Sequence, residues 1–96
     1  MHASWLFDQP PDAAAITTRQ VLDGAPVLSV VHYSDDNSWA FTCGGTSNEA
    51  DGRVVSMSAI LSMQPLLVTV AGLPPGWTAT RRSEDDPWEL AQSNDV

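Results

Sequence analysis

The sequence has no lysine, a single cysteine and no long apolar run, and each of these absences excludes a class of protein. One cysteine, Cys43, cannot form an internal disulfide or a cysteine-rich zinc site, and it favours a reducing compartment. The longest apolar-rich run, 66–73, is interrupted by Thr69 and is too short to cross a bilayer. The first residues lack the basic start and apolar core of a secretory signal. We therefore expect a cytoplasmic protein that does not enter a membrane.

Acidic residues dominate the charge of the chain. Twelve aspartates and glutamates face four arginines, which gives a formal net charge of −8. Such a charge repels phosphate backbones and argues against nucleic-acid binding, whereas it attracts a basic protein partner. Solubility is a simpler use of the same acidity, and the sequence leaves both uses open.

The length of 96 residues fits one domain with one hydrophobic core. We predict a single domain over residues 1–96 and expect any flexibility at its ends, in 1–12 and 91–96. Its clearest element is an antiparallel hairpin, because two β-branched or alternating runs, 27–33 and 38–43, flank the turn cluster Ser34-Asp35-Asp36-Asn37. Alternation in the second run places Trp39, Phe41 and Cys43 on one face of the strand.

Shorter signals predict the remaining elements. They are a strand over 13–18, a helical turn over 19–22 capped by Thr18 and stopped at Asp23-Gly24, a helix from Ser56 or Ser58, a second helical turn starting at Pro65, and a final strand over 77–81. We expect a polar loop over 44–52 and no regular structure after Leu90.

These elements predict an α+β fold: a small, mostly antiparallel sheet around the central hairpin, with one or two short helices packed on one face. The predicted core consists of Ile16, Val21, Val30, Trp39, Phe41, Met57, Ile60, Leu61, Leu66, Val70, Leu73 and Trp77.

Candidate catalytic and metal residues are few. Cys43, His32 and the Asp35–Asp36 pair are the constellation closest to a nucleophile, a base and an orienting group. A buried structural thiol explains Cys43 better, because the residue continues the alternation of the hairpin strand. His2 and the same four residues lack the spacing of a metal site, and we predict neither a metal nor a cofactor.

Tryptophan is the unusual residue type here, with four in a short chain. We expect Trp39 and Trp77 in the core. Trp5 and Trp88 lie in the terminal segments, where they either clamp onto the domain or remain exposed as contacts for a partner. The nearby acids Glu84, Asp85 and Asp86 offer ion pairs to Arg81 and Arg82.

Turn and aromatic motifs follow one another along most of the chain. They are formed by Trp5, Phe7, Thr17, Thr18, Arg19, Val21, Gly24, His32, Asp35, Asp36, Trp39, Phe41, Leu73, Pro74, Gly76, Trp77, Ala79, Arg81 and Trp88. Their order resembles that of small bacterial domains of unknown function, some of which occur among immunity proteins of polymorphic-toxin systems. The resemblance implies a cytoplasmic α+β domain with a protein-binding role and supplies no active site.

The favoured hypothesis is a non-catalytic protein-interaction module, immunity-like, that binds a basic protein partner as a monomer or weak homodimer. The alternative is a small hydrolase or thiol enzyme that uses Cys43 and His32. The predicted partner-binding residues are Asp35, Asp36, Glu84, Asp85, Asp86, Trp5 and Trp88.

Overall fold

Six strands form one mixed sheet in the computed structural model, which describes residues 7–44 and 49–93. The strands are β1 Ala14–Thr18, β2 Ser29–His32, β3 Trp39–Thr42, β4 Gly52–Ser56, β5 Trp77–Thr80 and β6 Glu89–Gln92. Their order across the sheet is β4-β1-β3-β2-β5-β6. β1 and β3 run parallel, and the other four neighbouring pairs run antiparallel. The predicted α+β class and the mostly antiparallel sheet are confirmed.

The central hairpin forms where the sequence predicts it. β2 and β3 pair antiparallel with His32 opposite Trp39, and the Tyr33 N–H donates to the Ser38 carbonyl at 2.9 Å. Asn37 adopts a φ of 60°, a left-handed conformation that asparagine tolerates better than most residues. Short polar side chains therefore set the turn, as expected.

Local capping signals also place the helices. Helix α1, Arg19–Leu22, begins after Thr18, whose side chain accepts from the Val21 N–H, and it ends before Gly24 at a φ of 115°. Helix α2, Met57–Met63, is capped by Ser56, whose Oγ accepts from the Ala59 N–H. A 3₁₀ helix, Pro65–Val70, follows directly with proline at its first turn.

The core contains most of the predicted residues, but two predictions are wrong. Ile16 is 42% exposed, because the alternation of β1 turns Ala15 and Thr17 inward instead. Leu66 is 76% exposed, because three residues per turn in the 3₁₀ helix place Leu67 and Val70 on the buried side. Leu61 and Trp77 are half-buried. The buried cluster is Phe7, Ala15, Val21, Val27, Val30, Trp39, Phe41, Met57, Ile60, Leu67, Val70, Leu73 and Ala79.

Two strands lie where the sequence predicts none. The predicted loop over 44–52 contains a short 3₁₀ helix, Glu49–Asp51, and leads into β4 at Gly52; residues 45–48 lie outside the described residues. β5 is not the last strand, because β6 follows it and pairs with it from Glu89 to Gln92. The expectation of no regular structure after Leu90 is therefore wrong for residues 91 and 92. No helix within 7–44 and 49–93 is long and apolar enough to cross a membrane.

Candidate protein-binding surface

His32 lies at the end of β2 and is fully enclosed, with 2% of its side chain exposed. Its Nδ1 lies 2.7 Å from the Leu73 carbonyl oxygen, and its Nε2 lies 3.1 Å from Asp8 Oδ2. Both oxygens are hydrogen-bond acceptors, and each lies within hydrogen-bond distance of one ring nitrogen. The ring also stacks on Trp39, with centroids 4.0 Å apart. His32 is therefore bonded on both nitrogens and covered on one face.

Asp8 holds this cluster together from outside the sheet. Its Oδ1 accepts from the Trp39 indole N–H at 2.8 Å while its Oδ2 faces His32. The neighbouring Phe7 packs edge-on against Trp39, with ring centroids 4.9 Å apart. Burial of Phe7 brings Asp8 to the two rings, so segment 7–8 belongs to the folded core. Sequence reasoning missed Asp8, because 24 residues separate it from His32.

Cys43 does not meet His32. His32 pairs with Trp39, and Cys43 lies four residues further along the same chain. At about 3.3 Å per residue, roughly 13 Å of strand separates the two side chains. Cys43 packs against the core, but it is half-buried and not fully buried as predicted.

The predicted acidic residues lie at opposite ends of the sheet. Asp35 and Asp36 are exposed in the β2–β3 turn, whereas the loop containing Glu84, Asp85 and Asp86 joins β5 to β6 at the far end. The Tyr33–Ser38 backbone hydrogen bond marks the turn end of β2, and the Arg81–Leu28 backbone hydrogen bond marks its other end. Leu28 and Tyr33 are five residues apart. About 16 Å of strand, at 3.3 Å per residue, therefore separates the two groups.

Asp36 is fixed within its own turn. Hydrogen bonds from the Ser38 side chain and from the Ser38 N–H lower the pKa of Asp36 below its ordinary value of 3.8. The backbone bond measures 3.0 Å. Asp36 therefore shapes the turn and remains negatively charged at neutral pH.

Arg81 lies at the far end, where it bonds to backbone carbonyls. Its Nε and Nη2 donate to the Val27 carbonyl at 3.1 and 2.9 Å, and its Nη1 donates to the Glu84 carbonyl at 3.1 Å. Its guanidinium also stacks over Trp88, 4.2 Å from the ring centroid. The ion pair predicted between Arg81 and the acidic loop is thus replaced by carbonyl and aromatic contacts. Trp88 is half-buried and packs against the core, and Trp5 lies outside the described part of the chain.

Exposed and half-buried apolar side chains lie beside this loop. Met63, Leu66 and Glu84 border one hollow, while Trp88 and Leu90 border a second hollow across the 3₁₀ helix. Arg81 connects the two, because it borders the first hollow and stacks on Trp88. We name this region the Leu66–Trp88 surface, defined by Met63, Leu66, Trp88, Leu90, Glu84, Asp85 and Asp86. Sequence reasoning missed its apolar part, because it predicted Leu66 to be buried.

Comparison with known proteins adds no further constraint. No family model, no curated protein and no solved structure matches this chain. Among the residues that the structure describes, no three His, Cys, Asp or Glu side chains converge as metal ligands would.

Proposed function

We propose that this protein is a non-catalytic, cytoplasmic interaction module that binds a basic protein partner, in the manner of the immunity proteins that its motif order resembles. The observation that carries the proposal is the Leu66–Trp88 surface. Leu66 there is 76% exposed beside an acidic loop.

An exposed apolar side chain surrounded by charges is typical of the energetic centre of a protein–protein interface. Burying an exposed leucine contributes about 1.5–3 kcal/mol, and binding energy concentrates in such central apolar and aromatic side chains. The surrounding charges contribute mainly to association rate and to partner choice. Because the free carboxylates on this surface belong to the Glu84–Asp86 loop, the complementary partner is basic.

Geometry favours binding over the enzyme alternative. A nucleophile and its base must lie within hydrogen-bond reach, yet about 13 Å of strand separates Cys43 from His32. Both nitrogens of His32 already lie within hydrogen-bond distance of Leu73 and Asp8. These contacts support a structural role for His32.

The finer architecture that we propose places the helices together on one face of the sheet. Met57, Ile60 and Leu67 share the core cluster with strand residues, which supports this packing. The exposed side of the 3₁₀ helix then faces away from the sheet and towards a partner.

Site-specific photocrosslinking in the source cells tests the proposal. A photoreactive benzoylphenylalanine is introduced at Leu66 in one variant and at Val54 in another. The two positions are matched in exposure, at 76% and 72%, and Val54 lies on the edge strand β4. We expect a covalent adduct with a basic protein from position 66 and none from position 54.

Two results would contradict the proposal: adducts from position 54 alone, or no adduct from either position. An adduct at twice the chain mass of 10.3 kDa would show self-association instead of a heterologous partner.

A further inference from the structure

Hydrogen bonds of the Gln64 side chain hold the wall of the first hollow of the Leu66–Trp88 surface in place. This hollow is half open to solvent and has a volume of about 340 Å³ between the end of α1, the end of α2 and the Arg81 loop. Gln64 fixes two of these parts together, because its Oε1 accepts from the Val27 N–H at 2.9 Å and its Nε2 donates to the Ala25 carbonyl at 3.0 Å. The space is ample for one large apolar side chain, since a cavity of about 150 Å³ admits benzene.

Apolar and polar groups share the lining of this hollow about equally. Pro26, Met63, Pro65 and Leu66 contribute apolar atoms, and Met63 is itself 42% exposed. An apolar side chain that entered the hollow would bury its own surface and that of Met63 and Leu66. Removing this apolar surface from water favours binding.

The charged residues at the rim of the hollow determine which partner residues can flank an inserted apolar side chain. The Arg81 guanidinium borders the hollow, but carbonyl oxygens accept from three of its nitrogens and Trp88 covers one face. The exposed carboxylate at the rim belongs to Glu84, whereas the carboxylate of Asp23, the residue before Gly24, lies 3.9 Å from Arg19 Nη1. The rim therefore complements cations.

We propose that the hollow takes one large apolar side chain of the partner protein and that lysine or arginine residues flank that side chain. The inference rests on the proposed function and names its contact. A second copy of this chain is a weaker match, because the chain has no lysine and three of its four arginines already bond within the chain: Arg19 to Asp51, and Arg53 and Arg81 to backbone carbonyls.

Three short peptides probe this contact directly. The acetylated and amidated peptide Lys-Lys-Leu-Lys-Lys carries both features, Lys-Lys-Ala-Lys-Lys lacks the large apolar side chain, and Glu-Glu-Leu-Glu-Glu reverses the charge. Amide and methyl NMR shifts, titrated at low salt, give Kd and the position of binding. We expect the leucine peptide to bind at least about fivefold more tightly than the alanine peptide, with shifts at Gly24 and Met63. The glutamate peptide should not bind.

Variants of the protein assign the contact to the hollow. In the Leu66→Ser variant, the leucine peptide and the alanine peptide should bind with nearly equal Kd, so that the ratio of the two Kd values is close to one. Glu84→Gln should weaken both lysine peptides about two- to threefold and leave the ratio unchanged. Val54→Ser and Asp36→Asn are the matched controls, apolar and acidic, and should change neither quantity.

The inference is overturned if Leu66→Ser keeps the ratio, or if the shifts fall on the Asp35–Asp36 turn. This outcome is distinguishable from failure of the proposed function. A cellular partner that crosslinks at position 66, while the peptides ignore the hollow, would retain the function and refute the hollow. Peptide binding in the hollow without any cellular adduct at position 66 would support the hollow as a binding site and refute the proposed function.

Discussion

At single positions of this protein, hydrogen bonding of a side chain decides whether it is buried, even where the hydrophobic pattern of the sequence predicts otherwise. Thr17 is fully buried although it is polar, because its hydroxyl donates to the Phe41 carbonyl at 2.7 Å. Its neighbour Ile16 is partly exposed although it is apolar. In a strand, neighbouring side chains point to opposite faces, so only one of Thr17 and Ile16 can face inward. The hydrogen bond to the Phe41 carbonyl satisfies the buried threonine hydroxyl. The sequence predicts a strand here but does not reveal which of its faces is buried.

His32 and Trp39 illustrate the same limit. Their places on the hairpin are predictable, because turn chemistry and β-branched runs act over a few residues. The carboxylate that joins them is not, because Asp8 reaches them only after Phe7 enters the core. The partner of a buried polar group is decided by tertiary packing.

Replacing Asp8 with alanine should lower the free energy of unfolding by about 1–2 kcal/mol, because the Trp39 Nε1–H loses its acceptor and His32 Nε2 loses its contact with the carboxylate. The expected loss is moderate, since the Asp8 side chain is 40% exposed and water replaces part of the interaction. Urea unfolding followed by tryptophan fluorescence measures it. Asp12→Ala removes an exposed acid from the same segment and should change stability by less than about 0.5 kcal/mol. Equal losses in the two variants would contradict the assigned role of Asp8.

The elements divide according to the range of the forces that specify them. The hairpin, α1 and α2 follow from caps and turns that act within four residues, and the sequence predicts all three. β4 and β6 have no such local signal. β6 consists of Glu89-Leu90-Ala91-Gln92, residues that favour helices, and its four side chains are exposed. Backbone pairing with β5 makes it a strand, and that pairing is a tertiary event.

The cap of α2 gives a test at the scale of the element. Ser56→Ala should cost about 1 kcal/mol of unfolding free energy, because the Ala59 N–H then loses its acceptor at 3.1 Å. Ser62→Ala makes the same chemical change at an exposed position inside the helix and should leave stability unchanged or slightly higher. Urea midpoints of the two variants compare them directly. A Ser62→Ala loss as large as that of Ser56→Ala would argue against the cap.

At the scale of the whole molecule, the charges are not spread evenly. The arginines lie at the end of the sheet where β1 and β5 finish and β4 begins, in sequence order Arg19, Arg53, Arg81 and Arg82. Arg19 is already engaged: with Gln20, whose hydrogen bond has the larger effect, it lowers the pKa of Asp51 below its ordinary value of 3.8. The opposite end carries the Asp35–Asp36 turn.

The exposed apolar side chains decide between the two acidic groups. None of the large ones lies in the Asp35–Asp36 turn, whereas Met63, Leu66 and Leu90 lie on the surface beside the Glu84–Asp86 loop. The four arginines partly offset the acids at the Glu84–Asp86 end, but a stable complex needs apolar area to bury, and that area lies at this end. The sequence predicts both acidic groups and cannot separate them, because their positions depend on the strand pairing.

Neutralising two charges at each end should therefore affect association unequally. With the partner recovered by crosslinking, Glu84→Gln with Asp85→Asn should slow association several-fold, and Asp35→Asn with Asp36→Asn should slow it by less than about twofold. The reason is distance: about 16 Å of strand separates the groups, and the Debye length is about 8 Å at physiological ionic strength. Stopped-flow rates at 0.15 M salt give the comparison, and raising the salt should shrink the difference between the two double variants. A larger effect from the Asp35–Asp36 pair would move the binding surface to the hairpin turn.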